Sequence, residues 1–272
     1  MSEVFDCSDG AQLLQGTRLA RQSLGRGELI VMPTDTVYGV AADAFSPEAV
    51  QRLLDAKGRG RQSPPPVLIP NVGTLAALAA EATEALHDLA DAFWPGALTI
   101  ITQANPSLSW DLGETGGTVA LRIPGNEFAR ELLQETGPLA VSSANKTGLP
   151  AAGSAQEARD MLGDSIAVYL DGGDARGEAS TIIDATLLGG DGTGTVRVLR
   201  QGSITVADLQ RVLPDATVLE QPAPSATPLA ETEAESEPAG GAEPVREVKP
   251  APSGGEDASK GDENSEAPRV SD

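Results

Sequence analysis

Eight short apolar runs punctuate the first 202 residues, and in the early chain capped, helix-length segments lie between most of them. The runs are "ELIVM" (28–32), "PVLIP" (66–70), "ALTIIT" (97–102), "GTVALRIP" (117–124), "PLAVSSAN" (138–145), "IAVYLDGG" (166–173), "STIIDATLL" (180–188) and "TVRVLRQG" (195–202). Their length and β-branched content read as buried strands. Asp9 is placed to cap a helix over about 11–24, ended by Gly25 and Gly27. "SPEAVQRLLDAKG" has Ser46 as N-cap, Pro47 at the first position and Gly58 beyond the end. "VGTLAALAAEATEALHDLADAFWPG" reads as two helices, the second capped by Thr83 and stopped before Pro95. Asn126, Ser154 and Thr205 head three more helices. Such alternation, with strands clustering late, predicts an α/β or α+β domain around one mixed sheet, with helices as cover. "GGDGTGT" (189–195) lies between two strands and reads as a hairpin loop, since a phosphate cradle would join a strand to a helix.

Composition sets the extent of that domain. From Gln221 to Asp272 there is no aromatic residue, and Pro, Ala, Glu, Ser and Gly dominate. This segment holds 12 Asp/Glu against 4 Lys/Arg, a net of −8. Too few apolar side chains are present to offset the entropy of ordering, so 221–272 is expected to be a disordered acidic tail. The folded unit is then about residues 1–220. It carries −13 of the chain's −21, an acidic balance that argues against general nucleic-acid binding, so tRNA is bound weakly at most. One cysteine, Cys7, excludes a disulfide framework or Cys-rich metal site within the chain. "MSEVFDCSDG" lacks an apolar signal region and no run reaches membrane-span length, so a cytoplasmic location without membrane attachment is expected. The sequon Asn145-Lys146-Thr147 is read as chance.

Three stretches invite chemistry. "PTDTVYGVAADA" (33–44) follows a strand with Thr34, Asp35, Thr36 and Tyr38, either a polar turn or the floor of a pocket beyond a strand end. "AKGRGRQSPPP" sets Lys57, Arg59 and Arg61 just past a helix C-terminus. Two readings stand: pairing with the helix dipole, which accounts for one or two of these charges, or a Gly- and Pro-held loop that aims guanidinium at phosphate oxygens. "AVSSANKTG" ends a strand in Ser142, Ser143 and Asn145, a turn end or a ligand contact. Arg122 and Arg200 sit in or at the end of apolar strands, either at a wet edge or facing an anion. The only histidine, His87, falls mid-helix, so Ser-His-Asp chemistry is disfavoured, and several-His or several-Cys metal sites are excluded by count.

In this order, "PTDTVYGVAADA", "KGR", "FWPGALT", "VALRIP", "SSAN", "DGG" with "STIID", and "LRQG" resemble the YrdC-like threonylcarbamoyladenylate synthases over about residues 10–215. The resemblance implies an α/β fold: a single domain with a twisted mixed sheet, flanked by helices, whose concave face is locally basic. It implies a nucleotidyltransferase that converts L-threonine, bicarbonate or CO2, and ATP to L-threonylcarbamoyladenylate and pyrophosphate. Mg2+ would arrive with ATP, with no protein metal site. Downstream threonylcarbamoyl-transfer proteins would use the product to modify tRNA. Catalytic roles fall to Lys57 and Arg59, at the ATP phosphates and the carbamate. Thr36, Arg122 and Ser180 would hold threonine, with Arg122 on its carboxylate. Ser63, Thr118, Ser143, Asn145 and Arg200 would contact ATP. Two departures bear on the threonine pocket: Gly60 replaces a common proline, and Leu68 replaces a histidine. Two alternatives are a non-catalytic RNA-binding module on the same fold and a related carbamoyl-transfer enzyme with another acceptor.

Overall fold

The computed structural model describes residues 2–220. The expected tail, 221–272, lies outside the described residues. In chain order the elements are β1 (Glu3–Asp6), α1 (Gly10–Gly25), β2 (Ile30–Met32), β3 (Gly39–Asp43), α2 (Pro47–Lys57), β4 (Val67–Leu68), α3 (Val72–Leu78), α4 (Glu84–Phe93), β5 (Leu98–Gln103), β6 (Thr118–Arg122), α5 (Glu127–Thr136), β7 (Leu139–Ser143), α6 (Ala155–Leu162), β8 (Val168–Asp171), β9 (Thr181–Leu188), β10 (Gly194–Arg200), α7 (Val206–Val212) and β11 (Ala216–Glu220). A short 3-10 turn, Gly163–Ser165, follows α6.

The helix boundaries follow the caps. Asp9 accepts from the Ala11 and Gln12 amides, and Ser46 from the Ala49 amide. Thr83, Asn126 and Ser154 each accept from the amide three residues on, and Thr205 makes a full capping box with Asp208. Gly58 ends α2 at φ 62°, a left-handed conformation that favours glycine.

All eleven described strands join one mixed sheet in the order β1-β8-β2-β3-β7-β4-β6-β5-β9-β10-β11. β9 and β10 form the expected antiparallel hairpin, with Leu188 opposite Gly194. Three strands were not legible as apolar runs. β1 and β11 are edge strands whose residues are mostly exposed or half-buried. β3 is "GVAAD", nearly all buried but made of small residues. At Gly39 a small residue is required: a Cβ there would lie 2.6 Å from Val141 Cγ1 across the β3–β7 pair.

Helices cover the two halves of the sheet differently. Around β2, β3 and β8, one apolar cluster includes residues of α2 and α6 and another includes residues of α1 and α5. The β4–β6–β5–β9–β10 half packs Val67, Leu121, Ile100, Ile183 and Val198 against α3, α4 and α7. Strand alternation turns Thr99, Arg122 and Ile182 to the opposite face. Those three side chains line a cavity. No helix among the described residues is long and apolar enough to cross a membrane.

Candidate active site

The cavity holds about 310 Å³ and has three polar walls. The first is the turn after β2. Thr34 Oγ1 accepts from the Thr36 and Val37 amides at 3.2 and 3.3 Å, donates to Val37 O at 2.6 Å, and lies 3.0 Å from Thr36 Oγ1. Arg122, at the end of β6, reaches this turn. Its Nη1 donates to Thr36 Oγ1 at 3.1 Å, Nη2 to Asp35 Oδ1 at 2.6 Å and Nε to Gly96 O at 2.9 Å. Arginine has five N–H donors, so two remain on this buried guanidinium. Burial pushes its pKa down and Asp35 opposes that shift; an arginine stays charged regardless.

Arg200 and Ser180 form the second wall. Arg200 Nε and Nη2 donate to Ser180 O at 3.0 and 2.8 Å, and Nη2 also reaches Ser180 Oγ at 3.0 Å. The same hydroxyl lies 2.9 Å from Thr99 Oγ1. The Arg200 pKa is lowered by burial and then by Arg122 and Arg59, a sign that the three guanidiniums repel within one space.

The third wall is the end of β7 with the loop after α2. Arg59 Nη1 donates to Ser142 Oγ at 3.2 Å, leaving most of its fork open to the cavity. Ser143 and Asn145 line the wall, and Lys57 holds them from behind. The buried ammonium donates to Ser143 O, to Asn145 O at 2.7 Å and to Asn145 Oδ1 at 3.3 Å. Asn145 Nδ2 then donates to Lys146 O at 3.0 Å and Leu149 O at 2.7 Å. Burial and the adjacent Arg59 push the Lys57 pKa down to about 8.

Three convergent guanidiniums, a ring of hydroxyls and no carboxylate among the lining side chains suit a polyanion. A family model described as "Telomere recombination" (Sua5/YciO/YrdC) matches residues 22–202. The chain belongs to the Sua5/YciO/YrdC family. A Mycobacterium leprae (strain TN) protein provisionally named threonylcarbamoyl-AMP synthase is 49% identical over 214 residues, covering 78% of this chain and 94% of that one. The threonylcarbamoyl-AMP synthase of Pyrococcus abyssi (strain GE5 / Orsay) is 34% identical over 200 residues, 72% of this chain and 56% of that protein. The crystal structure of P. abyssi Sua5 complexed with L-threonine superposes with a TM-score of 0.71 at 29% identity, over 80% of this chain and 62% of that one. The chain thus spans less than two thirds of that longer relative.

Seven expected site residues meet in the cavity: Thr36, Arg59, Arg122, Ser143, Asn145, Ser180 and Arg200. Three do not line it. Lys57, expected at the ATP phosphates, has its ammonium on the oxygens of Ser143 and Asn145. Ser63 is exposed on the loop, its amide donating to Gly60 O at 3.2 Å. Thr118 donates its hydroxyl to Thr115 O at 2.8 Å. It stands at the opposite end of β6 from Arg122, about 13 Å of strand away.

Asp35, in the same turn as Thr36, is the ion-pair partner of Arg122. Tyr38, grouped with it, has its hydroxyl on Gly173 O at 2.5 Å and 3.1 Å from Asp171 Oδ1, tying the turn to the end of β8. Thr99, Leu149 and Ala151 line the cavity without a local motif to mark them. The alternation of "ALTIIT" is the one signal that could have placed Thr99 opposite the core. Leu68 lines the cavity and is buried.

Proposed function

We infer that this chain is a threonylcarbamoyl-AMP synthase, joining L-threonine, bicarbonate and ATP to give L-threonylcarbamoyladenylate and pyrophosphate for threonylcarbamoyladenosine modification of tRNA. The carrying observation is the convergence of Arg59, Arg122 and Arg200 on one hydroxyl-lined cavity. The threonine amine and bicarbonate condense to a carbamate with loss of water. A carbamate oxygen then attacks the α-phosphorus of ATP, and the bond to pyrophosphate breaks. Such a reaction needs alignment and charge neutralisation more than a side-chain nucleophile. That matches a lining without histidine, cysteine or carboxylate.

In this proposal the two remaining Arg122 donors take the threonine carboxylate, with Thr36 and Ser180 beside it. Arg59, the least occupied guanidinium, bears the charge that develops on the carbamate and α-phosphate. Arg200, Ser143 and Asn145 complete the ATP contacts, and Lys57 acts through Ser143 and Asn145. In this reading Mg2+ enters as part of the MgATP substrate, carried on its phosphates. The product is a mixed anhydride that consumes itself in water, so a threonylcarbamoyl-transfer protein must take it up promptly. A cytoplasmic setting fits that role.

Incubation with ATP, radiolabelled bicarbonate and threonine tests the reading. Threonine-dependent pyrophosphate release with a labelled adenylate is expected, and neither appearing would refute it. Release stimulated by a different acceptor would favour another carbamoyl-transfer reaction.

A further inference from the structure

Residues 172–180 run from the end of β8 to the start of β9 without regular secondary structure. This strap lies against the turn that carries Thr36. The Gly177 amide donates to Thr36 O at 2.7 Å. A Cβ on Gly177 would stand 2.6 Å from Thr36 O and 3.0 Å from Asp35 O, so no other residue fits without displacing backbone. On one side the strap is clasped from outside. Ala175 N donates to Gly153 O at 2.8 Å, and Arg176 pairs with Glu157 at 2.6 Å and Asp174 at 2.9 Å. On the other side it delivers Ala179 and Ser180 to the cavity, where Ser180 O receives Arg200.

We propose that Gly177 is a positioning residue for the amino-acid substrate, with Arg176–Glu157 as its clasp. By gripping the backbone of Asp35 and Thr36, it sets the aim of the Thr36 hydroxyl. It also sets the carboxylate that holds Arg122. Only a glycine allows the strap to come this close. The inference rests on the assignment of Thr36 and Arg122 to threonine made above.

The test is steady-state kinetics of Gly177→Ala and Arg176→Ala by pyrophosphate release, with calorimetric L-threonine binding and thermal unfolding of each variant. Gly177→Ala is expected to raise the KM for threonine about 10- to 100-fold, as small misplacements do. Threonine binding should weaken by a similar factor while the KM for ATP stays within about twofold. Arg176→Ala, which loses only exposed ion pairs, is expected to act in the same direction by about threefold. A KM for ATP that rises as far as that for threonine would overturn the proposal, as would a threonine KM unchanged in both variants. If Gly177→Ala does not fold, the ratio of the two KM changes in Arg176→Ala decides alone. If the unaltered protein shows no threonine-dependent release, the functional assignment fails instead. The strap is then judged by amide hydrogen exchange at residues 34–37: faster exchange in the variant that folds supports it, and unchanged protection sinks it.

Discussion

Arg59 and Lys57 are two residues apart in "KGR", yet their ammonium and guanidinium do different work. Arg59 makes one side-chain hydrogen bond and faces the cavity. Lys57 is enclosed by three oxygens of the "SSAN" segment. Arg59→Ala should therefore lower kcat/KM about 100-fold, as loss of a transition-state donor does, with the thermal midpoint nearly unchanged. Lys57 should show itself through pH. Its folded pKa of about 8 lies below the ordinary 10.5. The folded protein therefore releases this proton earlier than the unfolded chain does. For this group, stability rises between about pH 8 and 10.5 and falls back as pH drops through 8. Activity should move the opposite way, declining above about pH 8 as the neutral amine loses a donor and the Ser143–Asn145 wall loosens. Rate profiles and urea titrations over the same pH range give the two slopes. Lys57→Met should cut turnover at neutral pH and flatten the alkaline limb.

At the scale of elements, the site is made where strands and helices stop. β6 ends at Arg122, β7 ends at Ser143, β10 ends at Arg200 and α2 ends at Lys57. The end of α2 has a local cause. The last turn of α2 closes on Gly58 at φ 62°, and this reversal sends Arg59 back toward Ser142. Gly58→Ala is expected to cost about 1 kcal/mol through the left-handed strain, seen as a midpoint lower by about 2–4 °C for a domain of this size. Turnover should fall further than that small loss explains, because the cap also aims Arg59. The loop beyond is tied down by Arg61, which pairs with Asp111 at 2.6 Å and accepts the Glu114 amide at 2.9 Å on its carbonyl. Arg61 therefore belongs to the loop's support; it does not line the cavity.

At the scale of the molecule, an acidic domain encloses a cavity lined by arginines, with −13 over residues 1–220. Compact anions such as ATP and the threonine carboxylate can share the three guanidiniums there, whereas an extended nucleic acid would meet mostly like charge. Gel-shift or fluorescence titration with tRNA at about 0.15 M salt should give no saturable binding in the micromolar range; tight, salt-sensitive binding would contradict this. The helices are legible in local sequence, because caps at Asp9, Ser46, Asn126, Ser154 and Thr205 act within three residues of where they stand. The long apolar strands are legible by their run of side chains, and the site motifs by their order along the chain. Local sequence could not reveal β3, whose Gly39 is required by Val141 across the sheet, nor the edge strands, whose pairing is all long-range. Folding brings Asp35 to Arg122 across 87 residues, and sets Lys57 behind a wall formed 86 residues later. Whether a charged side chain meets substrate or holds the residue that does depends on which partners the fold brings within about 3 Å, and that distance is not written in local sequence.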